Sequence, residues 1–317
     1  MNYIPPRWLP GGHAQTIWPA LILRPARPAY RRELWPTPDG GQIALDFVDG
    51  KDSAPLCVLF HGLEGSSDSH YARSLMQAVA QRGWHGVVPH FRGCGGVDNT
   101  LARAYHAGDA AEIRWILQRL AQRHEQLFAA GVSLGGSMLL NYLAEDGAAA
   151  LPCAAAAVST PLDLTAASQQ LDRGLGRLFY TRMFMNTLKT KALAQLKHHP
   201  GLFDPAHVRR AATFADFDHA VTAPIHGYPS GSAYWRSASS KQRLDRIAKP
   251  TLVLNAKNDP FLPASALPDH SQVAPSVELE FPPCGGHVGF VTGPFPGRLD
   301  WLPNRLLRHF DRYATAK

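Results

Sequence analysis

Short apolar runs alternate with amphipathic stretches through the first half of the chain. The apolar runs, typical of strands buried on both faces, lie at 55–62, 86–93, 126–133 and 153–161. The stretches between them, with apolar residues every three or four positions, lie at 66–82, 110–122 and 134–144. Strands that alternate with helices require crossover connections, so we expect a parallel sheet flanked by helices.

A β-hairpin is predicted ahead of this region. Residues 31–50 alternate between apolar and polar positions on both sides of Asp39-Gly40, where glycine tolerates the positive φ of a tight turn. We therefore expect an antiparallel pair before the parallel strands.

The alternation stops after the fourth apolar run. Residues from about 162 to 247 are mostly helical in pattern, with irregular loops. Strands are predicted again at 250–260 and 277–283, followed by an amphipathic helix at about 302–313. The pattern predicts a single α/β domain over residues 1–317, with an insertion at about 162–247 before its last two strands.

Composition and cysteine content narrow the class of protein. With 317 residues, 45% apolar and 18% charged, the chain can bury a sizeable core, which excludes wholesale disorder. Its four cysteines are far apart and form no C-x-x-C pair, which fits a reducing compartment. Prolines interrupt the first 18 residues, where an export signal would have an apolar run. No 18-residue apolar run follows. We expect a cytoplasmic protein without an integral membrane segment.

The net charge of +7 raises the question of a nucleic-acid partner. The basic residues occur singly or in pairs such as Arg31-Arg32 and Arg209-Arg210, and no run of five like charges appears. A solvated surface is the better interpretation, so no nucleic-acid partner is expected. A weak preference for anionic substrates or membrane surfaces stays open.

The segment GVSLGG at 131–136 lies between a predicted strand and a predicted helix. A serine hydroxyl is a poor nucleophile unless it is exposed, has a base within reach and has donors for the oxyanion that develops. The pattern G-x-S-x-G provides the exposure, because a sharp strained turn presents Ser133 between small neighbours. By itself the motif is also compatible with a glycine-rich structural turn.

The partners of such a serine follow it in the order acid, then histidine, each after a strand. Asp259 ends the predicted strand at 250–260, and His287 follows the strand at 277–283. Asp259 would orient the imidazole, and His287 would take the Ser133 proton and return it to the leaving group. Asp163, after an earlier strand, is the rival acid.

Backbone amides are the predicted oxyanion donors. The residue after the nucleophile is Leu134, at the start of the predicted helix. The second donor should come from the loop after the third strand, which reads His61-Gly62-Leu63, and the glycine there exposes the Leu63 amide.

Other chemistries lack their residues. No H-E-x-x-H pattern or cysteine cluster predicts a metal site, and the fingerprints of dinucleotide and phosphate-loop binding are absent. A cysteine or aspartate nucleophile is excluded because Ser133 occupies the elbow. We expect no metal and no cofactor.

Several motifs together resemble the YheT-like family of α/β hydrolases, bacterial relatives of the eukaryotic abhydrolase-domain lipases and esterases. The motifs are GGHAQTI, HGLEGSSDSHY, FRGCGG with a following YHAGD, GVSLGG, NDPF and GGHVGF. The resemblance covers nearly the whole chain. It implies an eight-stranded sheet, a helical cap between the sixth and seventh strands, and a triad of Ser133, Asp259 and His287.

The resemblance also implies carboxylesterase or acylglycerol lipase activity on a small-molecule acyl ester. The residues themselves predict a serine hydrolase that forms an acyl-enzyme, which water then cleaves. Two alternatives remain open: an acyltransferase that passes the acyl group to an alcohol, and a non-catalytic binding protein with the same fold.

Overall fold

A single eight-stranded sheet forms the centre of the computed structural model, which describes residues 2–315. Its order is β1-β2-β4-β3-β5-β6-β7-β8. The pairs β1–β2 and β2–β4 are antiparallel and the others are parallel, so the predicted mostly parallel sheet is confirmed. The strands are β1 Arg31–Pro36, β2 Gln42–Val48, β3 Leu56–Phe60, β4 His85–Pro89, β5 Leu127–Val132, β6 Ala154–Val158, β7 Thr251–Leu254 and β8 Val277–Glu280.

Helices cover both faces of the sheet and fill the interval between β6 and β7. The long flanking helices agree with the apolar periodicity of the sequence, and every residue of β3, β5 and β6 is buried between them. The helices are α1 Gly12–Leu21, α2 His70–Gln81, α3 Ala110–Ala121, α4 Leu134–Asp146, α5 Leu164–Leu171, α6 Gly174–Gly176, α7 Arg182–His198, α8 Pro205–Arg210, α9 Phe214–Phe217, α10 Ala223–Ile225, α11 Gly231–Ala238 and α12 Trp301–Asp311.

The helical insertion, residues 162–247, contains α5 to α11 and lies between β6 and β7 as expected. Two π-helical turns, Arg177–Thr181 and Asp218–Thr222, interrupt its α-helices. Part of its apolar surface packs on itself, around Met185, Val208 and Phe217.

Strand register brings the loops that follow the strands to one edge. β3 and β5 pair from Leu56–Leu127 to Phe60–Gly131, and β5 and β6 end together at Val132–Val158. The residues after each strand therefore meet at the carboxyl edge, where sites in parallel sheets form.

Two details differ from the sequence-based expectation. The second helix begins at His70 rather than Ser66, because residues 66–69 form a turn in which the Ser69 N–H donates to the Ser66 carbonyl. The helix α1 was not expected, since Pro19 lies inside it.

Among residues 2–315, no helix is long and apolar enough to cross a bilayer.

Candidate active site

Ser133 stands at a sharp turn between β5 and α4. Its φ of 52° and ψ of −121° lie in a sparsely populated region of backbone conformation, which costs an L-residue roughly 1–3 kcal/mol. The turn is held because the Ser133 N–H donates to the Val158 carbonyl at 2.9 Å. The strained turn expected from the motif is therefore present.

The glycines around Ser133 are required because other backbone atoms lie where a Cβ would be. A Cβ on Gly135 would lie 2.4 Å from the carbonyl oxygens of Phe60 and His61, and one on Gly131 would lie 2.5 Å from the Gly135 oxygen. Both contacts are far inside van der Waals distance, so no larger residue fits. The missing side chains let α4 start directly beside β3.

His287 lies between Ser133 and Asp259. Its Nε2 is 3.1 Å from the Ser133 Oγ, and its Nδ1 is 2.9 Å from Asp259 Oδ2. Asp259 is almost fully buried, and its other oxygen accepts the Phe261 N–H at 2.8 Å. A carboxylate only accepts hydrogen bonds, so Nδ1 carries the proton and Nε2 accepts the serine hydroxyl.

The structure does not bring the rival acid to His287. Asp163 caps the start of α5, where its carboxylate accepts the Ala166 N–H at 3.0 Å.

Arg92 connects two loops, since its nearly buried guanidinium donates to Glu112 at 2.9 Å and to Asp39 at 3.1 Å.

The two amides predicted as oxyanion donors line the same cavity as Ser133 and His287. Leu134 is the first residue of α4, so its N–H has no partner within the helix. Leu63 lies in the loop after β3, and across residues 2–315 neither amide donates a hydrogen bond within the protein.

His61, buried directly after β3, fixes the start of the Leu63 loop. Its Nδ1 lies 2.7 Å from the Gly62 carbonyl oxygen and therefore carries the proton, while Nε2 accepts the Phe91 N–H at 3.1 Å. Burial lowers the pKa of His61 to about 3, because the charged ring would lose its hydration. A neutral histidine thus holds this loop throughout the physiological pH range.

Glu64 continues the loop in a left-handed conformation, with a φ of 58°. Its N–H donates to the Tyr105 hydroxyl at 2.9 Å, and that hydroxyl donates back to Glu64 Oε1 at 2.8 Å. Lys191, on α7 of the helical insertion, donates to the same carboxylate at 2.8 Å. An ion pair therefore connects the insertion to the residue that follows Leu63.

Sequence reasoning missed the support of the His287 loop. The segment Gly12–Thr16, which lies within the GGHAQTI motif, forms the first turns of α1 beneath that loop. Thr16 Oγ1 accepts the His287 N–H at 2.8 Å, and Gln15 Oε1 accepts the Gly285 N–H at 2.9 Å. Gln15 also receives the Asn258 side-chain amide at 3.0 Å, so it joins the His287 loop to the loop of Asp259.

A cavity of about 430 Å³ opens beside Ser133 and His287. Its wall is mainly apolar but includes charged and polar groups, among them Lys191, Asp218 and His226. Burial raises the pKa of Asp218 to about 6 and lowers the pKa of His226 to about 3. Such a chamber suits an apolar group placed next to the serine. Its apolar wall from the insertion includes Phe184, Leu188, Phe214, Phe217, Val221 and Trp235.

Aromatic and methionine side chains of the insertion differ in orientation. Phe184, Tyr234 and Trp235 line the cavity. Tyr180 packs on the Phe261 ring and Met185 enters the core of the insertion. Phe179 and Met183 are exposed.

Among residues 2–315, no group of three or more His, Cys, Asp or Glu side chains is placed to hold a metal ion. The candidate site therefore consists of the Ser133, Asp259 and His287 side chains, two free amides and the cavity.

The sheet, the strand-to-helix turn and the site at its edge define a class of protein. The family model described as the alpha/beta hydrolase fold matches residues 55–294, so the chain belongs to the α/β hydrolase fold family. Over its whole length the chain is 38% identical to the Escherichia coli protein named "Putative esterase YheT", of which it covers 95%. The resemblance to the YheT-like family is thus confirmed.

Two further comparisons agree with this family. Over 75% of its length the chain is 30% identical to "Medium-chain fatty acid ethyl ester synthase/esterase 2" of Saccharomyces cerevisiae, 58% of which is covered. The solved structure of the Pyrococcus furiosus esterase Pf2001 superposes with a TM-score of 0.59 over 90% of this chain and 93% of that one, at 15% identity. That structural likeness supports the fold.

Proposed function

We propose that the protein is a serine hydrolase that cleaves carboxylic esters through an acyl-enzyme. The observation that carries the proposal is the position of the His287 imidazole, within hydrogen-bond distance of both Ser133 Oγ and Asp259. Nucleophile, base and orienting acid then stand in the relation that acyl transfer by serine requires.

The proposed reaction begins with attack of Ser133 Oγ on the acyl carbonyl. His287 Nε2 takes the hydroxyl proton, and the imidazolium is stabilised by Asp259. The same proton passes to the leaving alcohol as the tetrahedral intermediate collapses to the acyl-enzyme. Water then gives a proton to Nε2 as it attacks the acyl carbon. When the bond between the acyl carbon and Ser133 Oγ breaks, Nε2 returns that proton to Oγ and the acid leaves.

The Leu63 and Leu134 amides are proposed to hold the oxyanion. Both line the cavity without a protein partner, and Leu134 adds the favourable field of the α4 N-terminus. Donors already in place at the developing charge lower the barrier without reorganisation.

The helical insertion is proposed to act as a cap within one domain of residues 1–317. It provides most of the apolar wall beside the serine, which favours an ester with an apolar acyl chain. The yeast relative's name combines ester synthesis with esterase activity, which favours alcohol as a second acyl acceptor.

A series of p-nitrophenyl esters from acetyl to palmitoyl tests this proposal. We expect saturable hydrolysis with an optimum at a chain length set by the cavity, and in added ethanol the ratio of ethyl ester to free acid measures the second acceptor. Predominant ethyl ester would make the protein an acyltransferase. No turnover of any ester would favour the non-catalytic binding protein instead.

Loss of Gln15 is expected to slow the enzyme and destabilise it. Gln15→Leu leaves the buried Gly285 N–H and the Leu9 carbonyl unsatisfied, which should lower the free energy of unfolding by about 2–3 kcal/mol. Misplacement of His287 should lower kcat about tenfold or more. Urea unfolding and ester kinetics measure both effects, with the exposed Gln81→Leu as control. Unchanged kcat would show that Gln15 does not position His287.

The Lys191–Glu64 pair is expected to affect kcat more than KM. Lys191→Met removes a partner of the Glu64 carboxylate and leaves it the Tyr105 hydroxyl, and a looser loop places the Leu63 amide less accurately. We expect kcat to fall about tenfold, and Lys191→Arg to recover most of it. The exposed Lys51→Met is the control. An effect on KM alone would assign Lys191 to substrate binding.

The four cysteines are compatible with the proposed cytoplasmic location. Cys57, Cys94, Cys153 and Cys284 are all free thiols. Free, partly or fully buried thiols without disulfides are typical of a reducing compartment.

A further inference from the structure

One helix of the insertion has an unusual outer surface. The helical rod formed by α6, the π-helical turn Arg177–Thr181 and α7 runs without a break from residue 174 to 198. Its inner side contributes Phe184, Leu188 and Lys191 to the cavity. The exposed side chains of its first half, together with the preceding Arg173, are here called the outer face. The outer face comprises Arg173, Leu175, Arg177, Leu178, Phe179, Arg182 and Met183.

The apolar residues of the outer face are concentrated. Of the ten large apolar side chains that are well exposed among residues 2–315, four lie within nine positions, at Leu175, Leu178, Phe179 and Met183. Single exposed apolar residues are ordinary, but a contiguous exposed patch on a stable protein marks an interaction surface.

The outer face is also basic. Arg173, Arg177 and Arg182 alternate with the apolar side chains, and none forms an ion pair with the described part of the chain. Of the nearby carboxylates, Asp172 accepts the Phe214 N–H and Asp216 accepts the Ala212 N–H. Asp216 also interacts with the charge of Arg177, without a direct ion pair.

Most of the net positive charge of the chain also lies in the insertion. Residues 162–247 contain twelve Lys and Arg and six Asp and Glu, so the insertion carries +6 of the net +7. The positive field is therefore concentrated on the part of the protein that covers the cavity.

We propose that the outer face docks on an anionic lipid surface. The acidic headgroups of a bilayer provide negative charge for the arginines. Beneath the headgroups lies an apolar layer into which Leu178 and Phe179 can insert when the rod lies in the plane of the interface. A second copy of this chain is a poor occupant, because a symmetric pair would oppose three arginines to three arginines. Docking would bring the cavity on the inner side of the rod close to lipid.

Flotation with vesicles of ether-linked lipids tests the docking. Such lipids contain no ester, so binding is measured without turnover and does not depend on the proposed hydrolase function. We expect the wild type to bind vesicles that contain equal parts of phosphatidylglycerol and phosphatidylcholine, to bind pure phosphatidylcholine weakly, and to be released by high salt.

Two variants separate the two parts of the interaction. Arg173→Gln/Arg177→Gln/Arg182→Gln should lower the partition coefficient about 100-fold, and Leu178→Ser/Phe179→Ser should lower it at least as much. Leu151→Ser is the matched control, because Leu151 is exposed but precedes β6 at the opposite edge of the sheet. It should bind as the wild type does.

Three outcomes would overturn the proposal. Failure of the wild type to bind anionic vesicles would mean that the outer face binds a protein partner instead. Binding that survives both multiple variants would place the lipid contact elsewhere. Sedimentation velocity that shows a dimer in the wild type and a monomer in Leu178→Ser/Phe179→Ser would make the face an interface between copies of this chain.

Discussion

Ser133→Ala is expected to lower kcat for ester hydrolysis about 10⁴-fold or more, with the fold intact. The hydroxyl is the proposed attacking group, and the remaining rate would come from the oxyanion donors and from substrate binding alone. Within residues 2–315 the Oγ has one hydrogen-bond partner, His287, so its removal should change the free energy of unfolding by no more than about 1.5 kcal/mol. Ester kinetics and urea unfolding of the same preparations measure both quantities.

The matched control lies one turn further along α4. Ser137 is buried, and in the described part of the chain its hydroxyl makes only a long contact of 3.5 Å with the Pro161 carbonyl. Ser137→Ala should therefore keep activity within a few-fold of the wild type. Ser133→Ala with undiminished activity would mean that another residue is the nucleophile.

Asp259→Asn is expected to lower kcat by a similar factor, about 10⁴-fold. The Asn side chain can donate to His287 Nδ1, which turns the imidazole into the tautomer that carries its proton on Nε2. In that tautomer His287 cannot accept the Ser133 proton, although the atoms stay in place. The KM should change little, because the substitution alters no wall of the apolar chamber.

The comparison with Asp163→Asn decides between the two candidate acids. Asp163 caps α5, and asparagine is an equally good cap, so this variant should retain most activity and stability. Kinetics of the two variants side by side give the answer. A large loss in Asp163→Asn and a small one in Asp259→Asn would reverse the assignment.

The elements that carry the candidate site could be predicted because their signals are local. Ser133 follows an apolar run and precedes a helical pattern, and both Asp259 and His287 follow predicted strands. Parallel strands then bring these sequence-distant residues to one edge, whatever the intervening loops contain. The mostly parallel sheet and the insertion before its last two strands followed from the same alternation, and the number of eight strands followed from the family resemblance.

The support of the site could not be predicted in this way. Gln15 and the His287 loop it holds are far apart in sequence, and a buried glutamine bonded to backbone leaves no periodic pattern. The orientation of the aromatic side chains within the insertion could not be predicted either. Phe179 and Phe184 lie five residues apart on one helical rod, about 140° apart around an ideal helix, so one is exposed and the other lines the cavity.

Labelling with a p-nitrophenyl alkylphosphonate tests the central claim most directly. This compound transfers its phosphonyl group to an activated serine and forms a stable adduct, with release of one p-nitrophenolate. We expect mass spectrometry to find a single adduct, on the peptide that contains Ser133, and ester hydrolysis to disappear in proportion to its formation. An adduct on another residue, or ester hydrolysis that persists when Ser133 is fully labelled, would contradict the account.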